Sequence, residues 1–219
     1  MNRESVSDAV IRVMLVDDHA VVRMGFRLLL EAASDIRVVA EAESGEAAYP
    51  LFQARTPDVV VMDLGMPGMG GMEAARRILA RERNARLLAL SAHEDLSYVR
   101  HMLKLGALGY LSKRSAADVL MEAVRTVAGG RMFLEAQLAQ NLALQQFGGE
   151  QSAVELLSER EFEVFLQLAQ GASVNLIAER LNLSPRTVGT HLYNIKQKLG
   201  VGNQAEIALV AIRQGLIQA

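Results

Sequence analysis

The sequence predicts an α/β domain with a doubly wound, five-stranded parallel sheet, followed by a small all-α domain of four helices. Short, wholly apolar runs alternate with amphipathic stretches of helical periodicity in the first 130 residues. After Gly129 and Gly130 the strand signals stop and only helical patterns remain. Five β–α repeats in series favour a parallel sheet with helices on both faces, because each crossover helix returns the chain to the same end of the sheet.

The five runs that we expect to be strands are apolar throughout, as in strands that are buried on both faces. The stretches between them repeat their apolar residues at helical spacing. Pro50 lies inside the second helical stretch, so we expect that helix to start late or to kink. The predicted strands cover residues 11–16, 37–40, 59–62, 87–90 and 109–111, and the predicted helices cover residues 21–33, 46–55, 72–81, 96–105 and 116–128.

Helix-start signals mark the second part of the chain. Ser158 and Glu161 have the spacing of a capping box, and Ser173 can cap a second helix. Ser184 and Pro185 place an N-cap and a first-turn proline before a third helix. We expect a fourth helix over 203–213, a linker helix over 135–146 and a glycine-containing link over 147–152. The chain then divides into an N-terminal tail (1–10), the α/β domain (11–130), a linker with a helix (131–155) and the helical domain (156–219).

Composition excludes some classes of protein and leaves others open. The balance of 51% hydrophobic and 22% charged residues is that of an ordinary globular protein, and the net charge of -2 gives no hint of a nucleic-acid partner. Residues 152–219 contain six Lys or Arg and six Glu, so the helical domain is neutral. With no cysteine, disulfides and thiolate metal sites are excluded. No signal-peptide core and no membrane-length apolar run is present, so we expect a cytoplasmic protein without a membrane partner.

Polar residues follow the predicted strands at positions that suggest a common site. Asp17 and Asp18 follow the first strand, Asp63 the third, Ser91 the fourth and Lys113 the fifth. Each residue alone is an ordinary loop, cap or surface residue. In a parallel sheet, however, the carboxyl ends of the strands meet at one edge, which is where ligands bind in open α/β folds.

Three neighbouring carboxylates repel one another, and a hard divalent cation such as Mg²⁺ relieves that repulsion. A carboxylate beside Mg²⁺ can attack a phosphoryl donor and form an aspartyl phosphate. The metal, an ammonium and a hydroxyl can then share the charge of the phosphoryl oxygens. The conjunction of these residues therefore predicts a Mg²⁺-dependent phosphoacceptor site.

Four motifs around this site resemble the signatures of a response-regulator receiver domain, which has a flavodoxin-like fold. They are Val-Asp-Asp-His at 16–19, Met-Asp-Leu-Gly-Met-Pro at 62–67, Leu-Ser-Ala at 90–92 and Gly-Tyr-Leu-Ser-Lys at 109–113, within a resemblance that covers 11–128. The resemblance implies phosphorylation of Asp63 by a sensor histidine kinase or a small phosphodonor, and no enzymatic activity beyond that self-modification. It also implies that Asp17, Asp18, Asp63 and the Gly65 carbonyl bind Mg²⁺, that Ser91 and Lys113 contact the phosphoryl group, and that the Tyr110 rotamer follows Ser91.

A phosphatase or hydrolase with an aspartyl-phosphate intermediate is a competing hypothesis, because such enzymes also use an acidic Mg²⁺ site. The Asp-x-Asp arrangement usual in those enzymes is missing here, since position 65 is glycine.

The third helix of the helical domain has an apolar stripe and a polar face without acidic residues. The polar face can reach base edges or phosphates. Gly189, at the margin of the polar face, lowers the stability of the helix by about 1 kcal/mol relative to alanine. Close approach to a DNA groove and simple helix–helix contact both explain that cost. The stripe consists of Val188, Leu192, Ile195 and Leu199, and the polar face carries Arg186, Thr190, Tyr193 and Gln197.

The motifs of this domain resemble a LuxR/FixJ-type (NarL-like) helix-turn-helix over 156–216. They are Leu-Ser-Glu-Arg-Glu at 157–161, Ala-Gln-Gly-Ala-Ser at 169–173, Leu-Ser-Pro-Arg-Thr-Val at 183–188 and Lys-Leu-Gly-Val at 198–201. The resemblance implies a scaffold helix over 173–181 and a recognition helix over 185–199 in the major groove of double-stranded DNA. By position, Gly189, Thr190 and Tyr193 would contact bases, and Thr187, His191, Lys196 and Lys198 would lie nearer the phosphates.

Together the two resemblances imply a phosphorylation-controlled, DNA-binding transcriptional regulator of a two-component system. Phosphorylation would change the surface around 96–105 and 113–128, which could mask or pair the DNA-binding domains. The last helix, with Ile207, Val210 and Ala211 on one side, resembles a dimerisation helix and implies a homodimer of the phosphorylated protein. An adaptor whose helical domain binds protein instead of DNA remains the alternative, because the recognition helix is poor in lysine and arginine.

Overall fold

The computed structural model describes residues 10–92, 96–148 and 153–217. The predicted tail, apart from Val10, and most of the predicted link over 147–152 lie outside the described residues.

A parallel sheet forms the centre of the first domain, with the strand order β2-β1-β3-β4-β5-β6. The order reverses beside β1, so the carboxyl ends of β1 and β3 flank the crevice where ligands bind in doubly wound folds. The strands are β1 (Ile11–Val16), β2 (Ile36–Ala42), β3 (Val59–Asp63), β4 (Leu87–Ser91), β5 (Gly109–Ser112) and β6 (Phe133–Leu134).

The sixth strand corrects the prediction of five. It contains only Phe133 and Leu134, which pair in parallel with Gly109 and Tyr110 of β5. Two residues are too few to give a periodic pattern, so the sequence does not reveal this strand. It extends the sheet with a segment of the predicted linker.

Five helices cover the two faces of the sheet, as predicted. Alternate residues of β1 enter different cores: Val13 and Leu15 pack with α1 and α5, whereas Met14 and Val16 pack with the side of the sheet that α2, α3 and α4 cover. The strands are therefore apolar throughout because both faces are buried. The helices are α1 (Ala20–Glu31), α2 (Gly45–Arg55), α3 (Gly70–Arg81), α4 (Leu96–Leu105) and α5 (Ala116–Ala128).

Helix α2 runs through Pro50, so the predicted late start is wrong. Ser44 caps the helix by accepting a hydrogen bond from the amide of Ala47, and the chain leaves it at Thr56 in the left-handed conformation. Pro50 is exposed, and the only intrahelical bond that its missing N–H removes is the one to the carbonyl of the exposed residue Glu46.

The helical domain has the four predicted helices. Ser158 and Glu161 form the complete capping box at the start of the first, and the Ser173 and Ser184 side chains cap the next two. A linker helix and a short 3₁₀ turn (Ala153–Leu156) precede this domain. The helices are α6 (Ala136–Gly148) in the linker, then α7 (Glu159–Ala169), α8 (Val174–Leu181), α9 (Pro185–Leu199) and α10 (Gln204–Arg213). Within the described ranges no helix has the length and apolar character needed to span a membrane.

Candidate functional site

The carboxyl ends of four strands bring the polar residues of the first domain together. Asp17 follows β1, Asp63 ends β3, Ser91 ends β4 and Lys113 follows β5. The Lys113 ammonium lies 2.7 Å from an Asp17 carboxylate oxygen and 2.8 Å from one of Asp63. Asp17, Asp63 and Ser91 are buried. Two carboxylates thus share one cation in a place with little access to water.

Burial raises the pKa of Asp63, although hydrogen bonds from Lys113 and from the Gly65 amide act against this shift. Burial lowers the pKa of Lys113, but its hydrogen bonds to Asp17 and Asp63 outweigh that effect and the pKa is raised. Lys113 therefore stays protonated, and its charge only partly offsets the cost of the buried carboxylates.

The acidic residues form a group that could hold a cation. One ligand atom from each of Asp17, Asp18, His19 and Asp63 lies within 4.8 Å of all the others. His19 was not predicted to belong to this group; its Nδ1 is 2.9 Å from Asp18 Oδ1, and its side chain is 64% exposed. The three carboxylates supply the oxygen atoms that Mg²⁺ prefers, so the donor set fits that ion. A cation there would also offset the burial cost that raises the pKa of Asp63.

Gly65 places its backbone amide, and no side chain, beside Asp63. Its amide donates to Asp63 Oδ1 at 3.0 Å, and a Cβ added at this position would lie 3.6 Å from that same oxygen. Gly65 is exposed, so no side chain at this position covers the buried Asp63 carboxylate.

Ser91 ends β4, and Tyr110 lies in the neighbouring strand β5. The Ser91 carbonyl accepts a hydrogen bond of 2.8 Å from the Lys113 amide. Tyr110 is fully buried, in the core that also contains Val99 and Met102 of α4. Tyr110 therefore belongs to the core on which α4 packs, and it lies on the strand that pairs with β4.

Helix α9 presents the predicted polar face to solvent. Val188 and Ile195 are buried beneath it, whereas Arg186 and Thr190 are exposed and Tyr193 is 64% exposed. The Thr190 hydroxyl donates to the Arg186 carbonyl at 3.1 Å, which leaves its oxygen lone pairs for a partner. This arrangement of an outward helix at the end of a two-helix turn is that of a helix-turn-helix.

Gly189 faces open space. A Cβ added at this position would meet no atom within 4 Å, apart from its own chain neighbours and helix backbone. Helix–helix contact within this chain therefore does not explain the glycine, and of the two interpretations of Gly189 close approach to a partner outside the chain remains.

Two residues that were assigned to the phosphate side turn toward their own domain. The Lys198 ammonium binds Glu161 Oε2 at 2.6 Å and the Leu156 carbonyl at 3.0 Å. His191 is half-buried, and burial lowers its pKa despite the nearby Glu161. Thr187 is engaged as well, since its hydroxyl lies 2.8 Å from that of its cap, Ser184. Lys196 and Arg186 have no such contact among the bonds of the described residues.

The two domains contact each other through α4 and α7. The His101 ring stacks on the Phe162 ring with 4.0 Å between centroids, and His101 Nε2 lies 3.2 Å from the Leu157 carbonyl. Arg100 pairs with Glu155 at 2.7 Å. The sequence gives no sign of this surface, because His101 is one polar residue on an amphipathic helix.

A buried ion cluster forms a second part of the domain contact. Arg160 of α7 lies 2.5 Å from Glu73 of α3 and 2.6 Å from Glu163. Glu73 also binds Arg76 and Arg77, and these cations keep its pKa low in spite of burial. Burial and the neighbouring Glu73 raise the pKa of Glu163 to about 7, with Arg160 acting against them. We call these residues (Glu73, Arg76, Arg77, Arg160 and Glu163) the interdomain ion cluster.

The polar face of α9 is not the surface on which the domains meet. The contacts described above come from α7, the 3₁₀ turn and the end of the chain, where the Tyr98 hydroxyl donates to the Leu216 carbonyl at 3.4 Å. Among the described residues, the domain contact therefore leaves Arg186, Thr190 and Tyr193 of α9 exposed.

Comparison with known proteins agrees with this geometry. Residues 13–125 match the response regulator receiver domain family, and residues 155–211 match the luxR family of bacterial regulatory proteins. The response regulator UvrY of Escherichia coli is 40% identical over 211 residues, covering 95% of this chain and 97% of that protein. The response regulator GacA of Pseudomonas aeruginosa is 36% identical over 211 residues, covering 95% of this chain and 99% of that protein. RcsB of Salmonella enterica, in a structure bound to a promoter with the phosphomimetic BeF₃⁻, is 26% identical with a TM-score of 0.74, covering 94% and 99%.

Proposed function

Because the chain belongs to the response regulators that join a receiver domain to a LuxR-type DNA-binding domain, we propose that phosphorylation of Asp63 controls its binding to DNA. The protein is a DNA-binding transcription regulator of a two-component system, as the sequence predicted. The finer assignments concern the acceptor, the metal and the way in which the two domains communicate.

The observation that carries the proposal is the pair of contacts from Lys113 to Asp63 and Asp17 at the mouth of the sheet. Asp63 would be the phosphoacceptor, and its contacts with the Lys113 ammonium and the Gly65 amide support this assignment. Lys113 and Ser91 would neutralise and bind the phosphoryl oxygens, and Tyr110 would follow Ser91. The receiver acts on no other substrate in this scheme.

Mg²⁺ fits the donor set of Asp17, Asp18 and Asp63, and the Gly65 carbonyl is the further ligand that the receiver family implies. When bound, the ion would draw charge from the phosphoryl group. Asp17 and Asp18 would hold it beside Asp63, while the Lys113 ammonium, already hydrogen-bonded to two of these carboxylates, would orient the acceptor oxygen.

The partner that delivers the phosphoryl group would be a sensor histidine kinase. Helix α1 begins directly after His19, beside the acceptor site, and exposes three apolar side chains. Val21, Met24 and Leu28 are 82%, 60% and 67% exposed. An exposed apolar stripe next to the site of phosphotransfer suits the docking of a kinase helix. With such a kinase as partner, the protein would act in the cytoplasm.

Double-stranded DNA would bind the outward face of α9. Arg186, Thr190 and Tyr193, with Gly189 between them, would face the major groove, and Lys196 would lie toward the phosphates. Lys198 and His191 would contribute less than the family pattern implies, because they contact their own domain. Homodimers would form through α10, but not through the whole predicted face, because Ile207 and Ala211 are buried in their own domain. The half-buried Val210 and the 51% exposed Leu209 remain for a partner.

Phosphorylation would act on domain docking. The change at Ser91 and Tyr110 would reach α4, whose outer face binds α7. Since α9 stays open in the docked arrangement, we propose that undocking frees the DNA-binding domains to pair on DNA, rather than uncovering the recognition helix.

The acceptor is tested by incubating the protein with Mg²⁺ and acetyl phosphate and mapping the product by mass spectrometry. We expect one phosphoryl group, on the peptide that contains Asp63, and none in Asp63→Asn. Glu41→Gln, a change at a carboxylate on β2, is the control and should be modified like the wild type. Modification elsewhere, or equal modification of Asp63→Asn, contradicts the assignment.

A further inference from the structure

The linker reaches back to the phosphorylation site through one side chain. Strand β6 ends at Leu134, and the next residue, Glu135, places its carboxylate oxygen 2.7 Å from the amide of Ser112, the last residue of β5. Lys113, which follows Ser112 in the chain, carries the ammonium that binds Asp63. Neither the receiver motifs nor the family match, which ends at residue 125, includes Glu135.

The pattern of hydrogen bonds explains what this contact does. In a parallel sheet, successive amides of a strand point to opposite neighbours. The Lys113 amide points to β4 and donates to the Ser91 carbonyl at 2.8 Å, whereas the Ser112 amide points to the β6 side. Strand β6 is too short to offer a backbone carbonyl there, and the Glu135 carboxylate takes its place. The end of β5 is thus held from both sides.

The same residue starts the linker helix. The Glu135 carbonyl accepts a hydrogen bond of 2.9 Å from the Ala139 amide in the first turn of α6. In the same turn, Leu138 is buried in the core that also contains Tyr98 and Met102 of α4. Glu135 therefore connects the end of β5, directly before Lys113, with α6. Helix α6 packs on the side of the receiver where α4 contacts the DNA-binding domain.

We propose that Glu135 is a positioning residue for phosphorylation, which fixes the end of β5 so that Lys113 holds the acceptor oxygen of Asp63. This inference rests on the proposed phosphorylation of Asp63. In that step an Asp63 oxygen attacks the phosphorus of the donor, and the bond from phosphorus to the leaving oxygen breaks. With acetyl phosphate, acetate leaves with the electron pair. The Lys113 ammonium must stay in place throughout, because it balances charge on the acceptor and then on the phosphoryl oxygens.

The test compares Glu135→Ala with Glu135→Gln in the full chain. Glutamine keeps a side-chain oxygen that can accept from the Ser112 amide, whereas alanine does not. We expect Glu135→Ala to lower the maximal rate of phosphorylation by acetyl phosphate by roughly three- to tenfold, the effect of one hydrogen bond. Glu135→Gln should restore most of the rate. The Mg²⁺ concentration for half-maximal rate should not change, because the metal-binding carboxylates are untouched.

Two further readouts separate positioning from folding. The amide proton signal of Ser112 should move upfield in Glu135→Ala and move much less in Glu135→Gln, while both variants still unfold cooperatively above the assay temperature. Gln137→Ala, an exposed change in the first turn of α6, is the matched control and should behave as the wild type. A wild-type rate in Glu135→Ala, or equal slowing in Glu135→Gln, overturns the positioning role and leaves Asp63 as acceptor. A wild-type protein that takes no phosphoryl group at all overturns the proposed function itself.

Discussion

The ring of His101 lies parallel to the ring of Phe162, with 4.0 Å between their centroids and 11° between their planes. His101 belongs to α4 of the receiver and Phe162 to α7 of the DNA-binding domain, and both side chains are buried. The two domains thus share a core at the helix that phosphorylation is expected to move. A movement of α4 would therefore directly change its packing against α7 of the DNA-binding domain.

Replacing His101 with alanine should weaken docking. The change removes the stacked ring and the contact of Nε2 with the Leu157 carbonyl, and it leaves a cavity between α4 and α7. Because the chain has no cysteine, the double variant Leu28→Cys and Gln197→Cys can be labelled with a dye pair at these two positions only. Energy transfer between the dyes then measures the distance between the domains. We expect a longer mean distance in His101→Ala. Lys104→Ala, an exposed change on the same helix, is the control, and an unchanged distance in His101→Ala would count against the docking role.

Docking should also depend on pH through Glu163. Burial between the domains raises its pKa from 4.5 to about 7, so the docked arrangement binds a proton more tightly than the separated one. Between pH 4.5 and about 7, Glu163 is ionised in the separated form and protonated in the docked form. The free energy of docking therefore becomes less favourable by up to about 1.4 kcal/mol for each pH unit of increase. Above about pH 7 both forms are ionised and the dependence should level off. The energy-transfer distance, measured from pH 5.5 to 8.5, reports this curve.

Glu163→Gln is the informative variant for this pH dependence, because glutamine resembles the protonated acid. It should keep the domains docked at pH 8 and flatten the curve. A variant that retains the wild-type pH dependence would show that another group of the interface is responsible.

Gly189→Ala should separate the folding and binding roles of the recognition helix. Since a Cβ at this position meets no other side chain, the substitution should raise the free energy of unfolding by up to about 1 kcal/mol. Its affinity for DNA selected by the wild-type protein from genomic fragments should fall, because the added methyl group occupies the groove-facing surface. Denaturant unfolding and fluorescence anisotropy measure the two effects. Greater stability with unchanged affinity would mean that Gly189 does not approach DNA.

Lys196 and Tyr193 should differ in what they contribute to binding. Lys196→Ala should weaken binding to all sequences alike and lower the salt dependence, log Kd against log salt, by about one unit. Tyr193→Ala should change sequence preference by about 1–3 kcal/mol at one position and leave the salt dependence unchanged. Lys198→Ala serves as comparison: its ammonium binds Glu161, so its loss should affect stability more than the salt dependence. Equal salt effects at Lys196 and Lys198 would contradict this distinction.

Local patterns in the sequence predicted most of the fold. The five apolar runs became strands because both faces of the sheet are covered, and the capping box at Ser158 and Glu161 marks the start of α7 as expected. Strand β6 was missed because two residues carry no periodicity. The late start expected for α2 was wrong because Pro50 is exposed and removes a single hydrogen bond.

The grouping of Asp17, Asp63 and Lys113 was predictable because each ends or directly follows a strand, and a parallel sheet brings such positions together. The interdomain ion cluster was not, because Glu73 and Arg160 meet only through the packing of two domains, 87 residues apart in the chain. The pairing of Lys198 with Glu161 likewise depends on how α9 crosses α7. Periodicity gives the face on which a residue lies, but not the partner that it finds there.

Affinity for DNA with and without BeF₃⁻ tests the central claim most directly. The wild-type protein and Asp63→Asn are titrated onto the same selected DNA fragment in Mg²⁺ buffer, with and without the phosphomimetic. We expect BeF₃⁻ to tighten binding of the wild type by about 5- to 150-fold, the usual range of coupling between two sites, and to leave Asp63→Asn unchanged. An identical Kd for the wild type in both conditions, or the same tightening in Asp63→Asn, would contradict control of DNA binding through Asp63.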